Sequence, residues 1–282
     1  MIGRFATSTA YRQALEARLL AAYGSERVQS GRKRLVTERL VVRLQDQRPS
    51  GFLVKGGFAL ELRLAGESRT TRDLDVDAAT EVGSGADAVA GEVEAACRID
   101  ARDGFEMLSA RAPEEIAATQ KARTFRFSID ARLDGRRFER IPLDVRAGDF
   151  VPGTFDLLPG GDFLHELIDL APARIRVVPL QYHFAEKVHA FARPRAAQPT
   201  RVRDLVDMLL LISLETPADV SAWKALEEVF ASAGDSPPEE LSSPPANWAE
   251  AFSSLAKPLR RIPTRLDQAF EIVSKFYRGI ER

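Results

Sequence analysis

Three aspartates at alternate positions, Asp73, Asp75 and Asp77 in the stretch RTTRDLDVDA, are the residues of this chain whose type and spacing point most directly to chemistry. Alternate residues of an extended segment face the same side, with Cα atoms about 6.5–7 Å apart. Aspartate is disfavoured in strands and like charges repel at this range, so the arrangement costs stability unless positive charge sits among them. A divalent cation meets that need. Two carboxylates of one strand can bridge a pair of Mg2+ ions about 3.5–4 Å apart, an arrangement that holds a triphosphate and activates an attacking hydroxyl. The bland alternative is the wet face of an edge strand, where charges discourage aggregation. Asp77 is placed outside the site, at the strand end, where it caps the next segment.

Upstream, GFLVKGG reads as a short buried strand that turns at Gly56 and Gly57 into a helix begun by FALELRL. Backbone N–H groups at such a helix start bind phosphate oxygens readily. Gly-Gly alone would be a plain turn; followed by an aspartate strand, it sets a phosphate cradle beside a metal site. Further along, Phe184, Lys187, Val188 and Phe191 fall at i, i+3, i+4 and i+7, which places a lysine on an apolar helix face where it needs a partner. Asp204 and Asp207 are three apart on the next helix, and Asp207 precedes the apolar run MLLLI, so at least one of them turns inward. Asp204 could instead cap that helix.

Other elements must hold these residues in place. Apolar spacing predicts helices over Tyr11–Tyr23 and Leu35–Leu44, and GADAVAGEVEAACRI reads as another. RTFRFSIDARL and RRFERIPLDVRA alternate around Asp134-Gly135, a turn dipeptide of β-hairpins, giving a sheet of four or five strands. Glycine and proline in VPGTFDLLPGGDF mark a boundary near residue 151, beyond which the chain is mainly helical, and DSPPEELSSPPAN reads as a low-complexity linker. The expectation is thus an N-terminal domain over 1–150 and a mainly α-helical domain over 151–282.

With 282 residues, 45% of them hydrophobic, the chain can bury one large or two moderate cores, and its net charge of −1 leaves nucleic-acid affinity to local patches. Three such clusters stand out: Arg32, Lys33, Arg34, Arg39 and Arg43; Arg193, Arg195, Arg201 and Arg203; and Lys257, Arg260, Arg261 and Arg265. A lone cysteine, Cys97, suits a reducing compartment, and no signal peptide or membrane span is evident, so a cytoplasmic protein without a membrane partner is expected. His165, His183 and His189 are scattered, without the spacing of a zinc site.

The stretch KGGFALELRLAGESRTTRDLDVD resembles the first motif of the DNA polymerase β-type nucleotidyltransferases, and more closely that of the AbiEii/AbiGii toxin branch. In that branch G-G-x-A-L, an arginine, a Ser or Thr and D-x-D follow in order, here Gly56, Gly57, Ala59, Leu60, Arg69, Thr71, Asp73 and Asp75. The wider superfamily often has Gly-Ser where this chain has Gly-Gly, so backbone contacts must replace a serine hydroxyl. FAEKVHAFARPRAAQPTRVRDLVDMLLL is similar to the branch's later motif of Glu-Lys and a downstream Arg-Asp-x-x-Asp. The match spans about residues 51 to 210.

The resemblance implies an α+β fold: a small mixed β-sheet nucleotidyltransferase core flanked by helices, with a C-terminal α-helical domain that brings Lys187 and Asp204 to the site. Asp73 and Asp75 would be catalytic and bind Mg2+, and Asp144, on the strand IPLDVRA, would be the third metal-side carboxylate. Gly56, Gly57, Arg69, Thr71 and Lys187 would bind the nucleotide, with Lys187 on the triphosphate and Asp204 orienting it or positioning the acceptor; Asp207 is the reserve candidate. An NTP would be the co-substrate, an RNA (by the likeness, a tRNA 3′ end) the acceptor, and an antitoxin protein a partner. A phosphate placed on Thr71 would bring negative charge beside Asp73 and oppose NTP binding. A non-catalytic nucleotide- or RNA-binding module and a metal-dependent nuclease are the competing readings.

Overall fold

The computed structural model describes residues 2–282 apart from 49–50, 65–70, 72, 80–84, 111, 119–120, 149–150 and 194–199, together with the side chain of Thr200. The architecture is α+β, and the described residues divide into two compact units, one within Met1–Leu62 and Thr70–Val177, the other within Arg63–Arg69 and Val178–Arg282.

The first unit opens with α1 (Ser8–Gln47), two helical arms joined at Gly24, whose φ of 69° only glycine adopts without strain. The arms match the two expected helices. The first buries Tyr11, Leu15 and Leu19 on one face; the second is enclosed almost all round from Leu35 to Gln45. Its polar residues therefore need internal partners. Arg43, fully buried, forks onto Asp103 at 2.7 and 2.8 Å, and Arg39 reaches the same carboxylate at 2.6 Å. Gln45 donates to the carbonyls of Phe52 and Arg176.

Around this helix the chain forms β1 (Phe52–Lys55), α2 (Gly56–Arg63), β2 (Leu74–Ala79), α3 (Ala86–Cys97), β3 (Glu106–Ser109), β4 (Glu114–Ala118), β5 (Ala122–Leu133), β6 (Arg136–Gly148), β7 (Asp156–Pro159), α4 (His165–Ile168) and β8 (Arg174–Val177). Among the described residues one mixed sheet of eight strands runs β3-β5-β6-β2-β1-β8-β7, with β4 also on β5. The sheet is larger than the four or five strands expected. The additions β3, β4, β7 and β8 are only four or five residues long, too short to announce themselves, and of them only β8 (RIRV) shows β-branched alternation. Through β7 and β8 the stretch 151–177 belongs to the sheet unit, whereas its glycine and proline content suggested the start of the helical half. The β5–β6 hairpin turns at Asp134-Gly135 as expected, both with positive φ (57° and 67°).

The second unit contains α5 (Leu180–Ala192), α6 (Thr200–Ile212), α7 (Val220–Ser232), α8 (Ala249–Ala256) and α9 (Leu266–Arg278). Asp219 caps α7 by accepting the Ser221 and Ala222 N–H groups. The proline-rich stretch before α8 is irregular until a single 3-10 turn at Ala246–Trp248, yet it is more than a spacer: Leu241 is buried, and the Pro238 carbonyl accepts the Tyr277 hydroxyl at 2.6 Å. Among the described residues no helix is long and apolar enough to cross a membrane.

Candidate active site

Strand β2 lies inside the sheet between antiparallel β1 and parallel β6. Leu74, Val76, Leu143, Val145, Phe125 and Phe127 are buried in the core, and strand alternation turns their neighbours to the opposite face. On that face, pairing register sets one row of charges across four strands: Lys55 opposite Asp75, Asp75 opposite Asp144, and Asp144 opposite Arg126. Asp73 stands two residues before Asp75, just ahead of β2.

Arg126 ties the row together. Its Nε and Nη2 donate to the two Asp144 carboxylate oxygens at 2.7 and 2.6 Å, the two-pronged geometry in which arginine binds carboxylates most strongly, and Nη2 lies 3.8 Å from Asp73. Hydrogen bonding to Asp144 raises the Arg126 pKa above its ordinary value, with further contributions from the charges of Asp144, Asp73 and Asp75. Asp144 is sheltered (12% exposed side chain) while Asp73 is open (42%). Gly56, the first residue of α2, abuts this row. Its φ is +59°, and a Cβ there would meet Asp75 Oδ2 at 2.3 Å, so glycine is required both by the backbone and by the carboxylate behind it.

Asp77 does not cap a strand end. It lies within β2, is 1% exposed, and pairs with Lys55 Nζ at 2.7 Å and Arg146 at 3.5 Å. Lys55 thus reaches Asp77 on the diagonal. A buried carboxylate demands such cations, and two of them flank it.

In the second unit, α5 buries Phe184 and Val188, as the helical spacing predicts, and Lys187 points to two carboxylates of α6: Asp207 at 2.8 Å and Asp204 at 3.3 Å. Asp204 also receives Arg201 at 3.0 Å. Asp207 is fully buried, so it is the inward-facing member of the pair.

Thr71 donates its hydroxyl to the Asp73 carbonyl at 3.0 Å, a contact that shapes the approach to β2. Arg69 and Arg195 lie outside the described residues. The first basic cluster is largely turned inward: Arg39 and Arg43 are buried on Asp103, Arg32 stacks over Phe138 at 4.6 Å, Arg34 pairs with Glu61, and Lys33 is partly buried. Helical periodicity hid this, because an arm buried all round has no polar face. In the second cluster, Arg201 is committed to Asp204 and Arg193 to Asp235 at 3.5 Å, while Arg203 is exposed. Lys257, Arg260, Arg261 and Arg265 of the third are all exposed.

Asp73, Asp75 and Asp144 offer hard oxygen donors, the set that Mg2+ and similar ions take, and the guanidinium among them marks a place where positive charge is favoured. The residues fit a divalent cation in charge and donor type. As the side chains stand, with Asp144 engaged by Arg126, no group of three acidic, histidine or cysteine residues among those described is gathered to hold a metal.

Arg126 is the participant that sequence reading missed. Its strand and the hairpin turn were legible, but a bulge between Ala131 and Arg132 shifts the pairing by one residue. Counting back from Asp134-Gly135 without the bulge would place Arg126 opposite Leu143. The bulge instead sets Phe125 against Val145 and Phe127 against Leu143, so core burial fixes the register that brings Arg126 to Asp144.

A family model described as the nucleotidyl transferase AbiEii toxin of type IV toxin–antitoxin systems matches residues 39–272. A search of curated protein sequences returns no match. Among solved structures, the nucleotidyltransferase toxin MenT4 of Mycobacterium tuberculosis H37Rv is 18% identical, covering 96% of this chain and 99% of that one, with a TM-score of 0.49. JHP933 of Helicobacter pylori is 13% identical over 87% of this chain and 90% of that one (TM-score 0.46). An antigenic nucleotidyltransferase-like protein from Paracoccidioides brasiliensis is also 13% identical, over 81% and 93% (TM-score 0.43).

Proposed function

The chain belongs to the AbiEii nucleotidyl transferase toxins of type IV toxin–antitoxin systems, and from that premise we propose that it transfers a nucleoside monophosphate from an NTP to an RNA acceptor, the 3′ end of a tRNA, with Mg2+ as the metal. Nucleotidyl transfer from an NTP, the use of a divalent metal and an antitoxin partner accompany membership of that family; the metal's identity and the acceptor are the proposal. The observation that supports the chemistry is the row of Asp73, Asp75 and Asp144 beside Gly56 on one face of the sheet.

Asp73, Asp75 and Asp144 would hold the divalent metal, which supplies positive charge to the phosphate oxygens and to the attacking hydroxyl. Backbone N–H groups at the start of α2, at Gly56 and Gly57, offer donors to phosphate without the serine hydroxyl common elsewhere in the superfamily. Arg69 and Thr71 are assigned to the nucleotide, Thr71 also by fixing the backbone at Asp73. Lys187 is assigned to the charge of the departing pyrophosphate and Asp204 to orienting the triphosphate or positioning the acceptor. Asp207, holding the Lys187 ammonium at 2.8 Å, positions that lysine. The acceptor hydroxyl attacks the α-phosphorus and gives its proton to a nearby carboxylate, the bond from the α-phosphorus to the bridging oxygen breaks so that pyrophosphate leaves, and blocked tRNA charging would halt translation.

Incubation of the protein with each α-labelled NTP, Mg2+ and total RNA tests the proposal. Label joined to RNA of tRNA size is expected. Cut RNA would favour a nuclease, and unaltered RNA with bound nucleotide a non-catalytic module; either would overturn it. Regulation by phosphate on Thr71 is a separate element, checked by the intact mass of protein co-expressed with its genomic neighbour. An added phosphate that is lost in Thr71→Val is expected, and no mass increment would remove it.

A further inference from the structure

The β5–β6 hairpin carries two arginine–aspartate forks. At one end Arg140, its side chain half-exposed, engages the sheltered Asp130 at 2.6 and 3.0 Å, a pair that satisfies itself. At the other, Arg126 engages Asp144, but its Nη2 also leans toward Asp73, and Asp75 stands directly opposite Asp144. Only this second fork sits among carboxylates from other strands. Both oxygens of Asp144 accept from one guanidinium, whose positive charge repels a metal ion brought to the same carboxylate, so the Arg126 fork and a cation compete for Asp144. The Arg126 side chain is 38% exposed, so it can swing away without disturbing the core, whereas Asp144 is fixed by the strand.

We propose that Arg126 is the exchangeable counter-cation of the acidic row, a positioning residue that holds Asp73 and Asp144 side by side in the metal-free protein and yields Asp144 when a divalent cation binds. The inference rests on the metal-dependent reading above and adds a residue that reading does not contain. Three carboxylates crowded on one face repel; a planar donor that forks onto Asp144 and leans toward Asp73 offsets that repulsion until a cation replaces it. The same bond then opposes metal entry. Metal affinity in the absence of nucleotide is therefore set partly by Arg126, and a nucleotide that brings its own charge and contacts would help to tip the exchange.

Isothermal titration of the full-length chain with Mn2+ alone, without nucleotide, tests this with Arg126→Gln, Arg126→Lys and Asp75→Asn beside wild type. Removing the competitor should tighten Mn2+ binding about tenfold in Arg126→Gln, with Arg126→Lys, which cannot fork, in between. Thermal unfolding should agree: Arg126→Gln melts lower than wild type in chelator and gains more from Mn2+. Equal or weaker Mn2+ binding in Arg126→Gln, with binding lost in Asp75→Asn, would overturn the role of Arg126 and leave the metal site standing. Unchanged binding in Asp75→Asn, or none in both wild type and Arg126→Gln, would instead contradict the metal site itself.

Discussion

Asp75 on β2 and Asp144 on β6 are direct partners across two parallel strands, so two carboxylates project side by side from one face of the sheet. Like charges placed this way destabilise the sheet unless a cation joins them, and Arg126 is the cation the fold supplies. Asp73→Asn and Asp75→Asn should each lower nucleotidyl transfer at least a hundredfold, about the loss expected when a metal's protein environment is broken. Because each removes a repelling charge from a partly open position, thermal stability should change by no more than about 0.5 kcal/mol. Steady-state transfer and circular-dichroism melts check the two halves of this expectation.

Gly56→Ala should damage both stability and activity. Its positive φ alone costs roughly 1–2 kcal/mol with a side chain, and the new methyl would displace the Asp75 carboxylate. Gly135→Ala is the control: its φ is +67°, yet nothing lies within 4 Å of the added Cβ. It should lose comparable backbone stability while transfer is retained. Paired melting and kinetic measurements separate the carboxylate's share from the backbone's.

These two glycines also show what the sequence disclosed. Gly56-Gly57 before a helix and Asp134-Gly135 between alternating strands were legible because each is a local turn requirement. So was the inward lysine of α5, since helical spacing alone places it on the apolar face. Arg126 was illegible because its register hangs on a bulge that only core packing selects. The depth of Arg39 and Arg43 was hidden for a similar reason: their partner Asp103 is about sixty residues away, and only tertiary burial distinguishes a solvated basic run from an internal ion network.

Asp103 should be a stability residue with no part in transfer. Burial alone would raise its pKa, but hydrogen bonds and charge from Arg43 and Arg39 outweigh this and hold it below the ordinary carboxylate value. A group whose folded-state pKa is depressed contributes stability above its unfolded pKa, about 3.9, and loses it as pH falls through the folded-state value. Asp103→Asn leaves two buried guanidinium groups without their anion and should cost about 3–5 kcal/mol near neutrality. The gap to wild type should narrow below about pH 4. Urea unfolding at a series of pH values measures it; a gap that widens in acid would contradict the assignment.

Lys187→Met should lose stability as well as activity, because fully buried Asp207 loses the ammonium 2.8 Å away. Adding Asp207→Asn removes the buried charge and should restore much of the melting temperature. Transfer should stay low in the double variant, since the lysine assigned to the triphosphate is still missing. Restored transfer together with restored stability would reduce Lys187 to a structural role.

The most direct measurement is a crystal structure of the protein with Mg2+ and a non-hydrolysable NTP analogue. The account predicts metal density within about 2.0–2.1 Å of Asp73 and Asp75 oxygens, with the triphosphate against Gly56 and Gly57 and Arg126 released from Asp144. Nucleotide bound elsewhere, with both carboxylates turned to solvent and the Arg126–Asp144 fork intact, would contradict it.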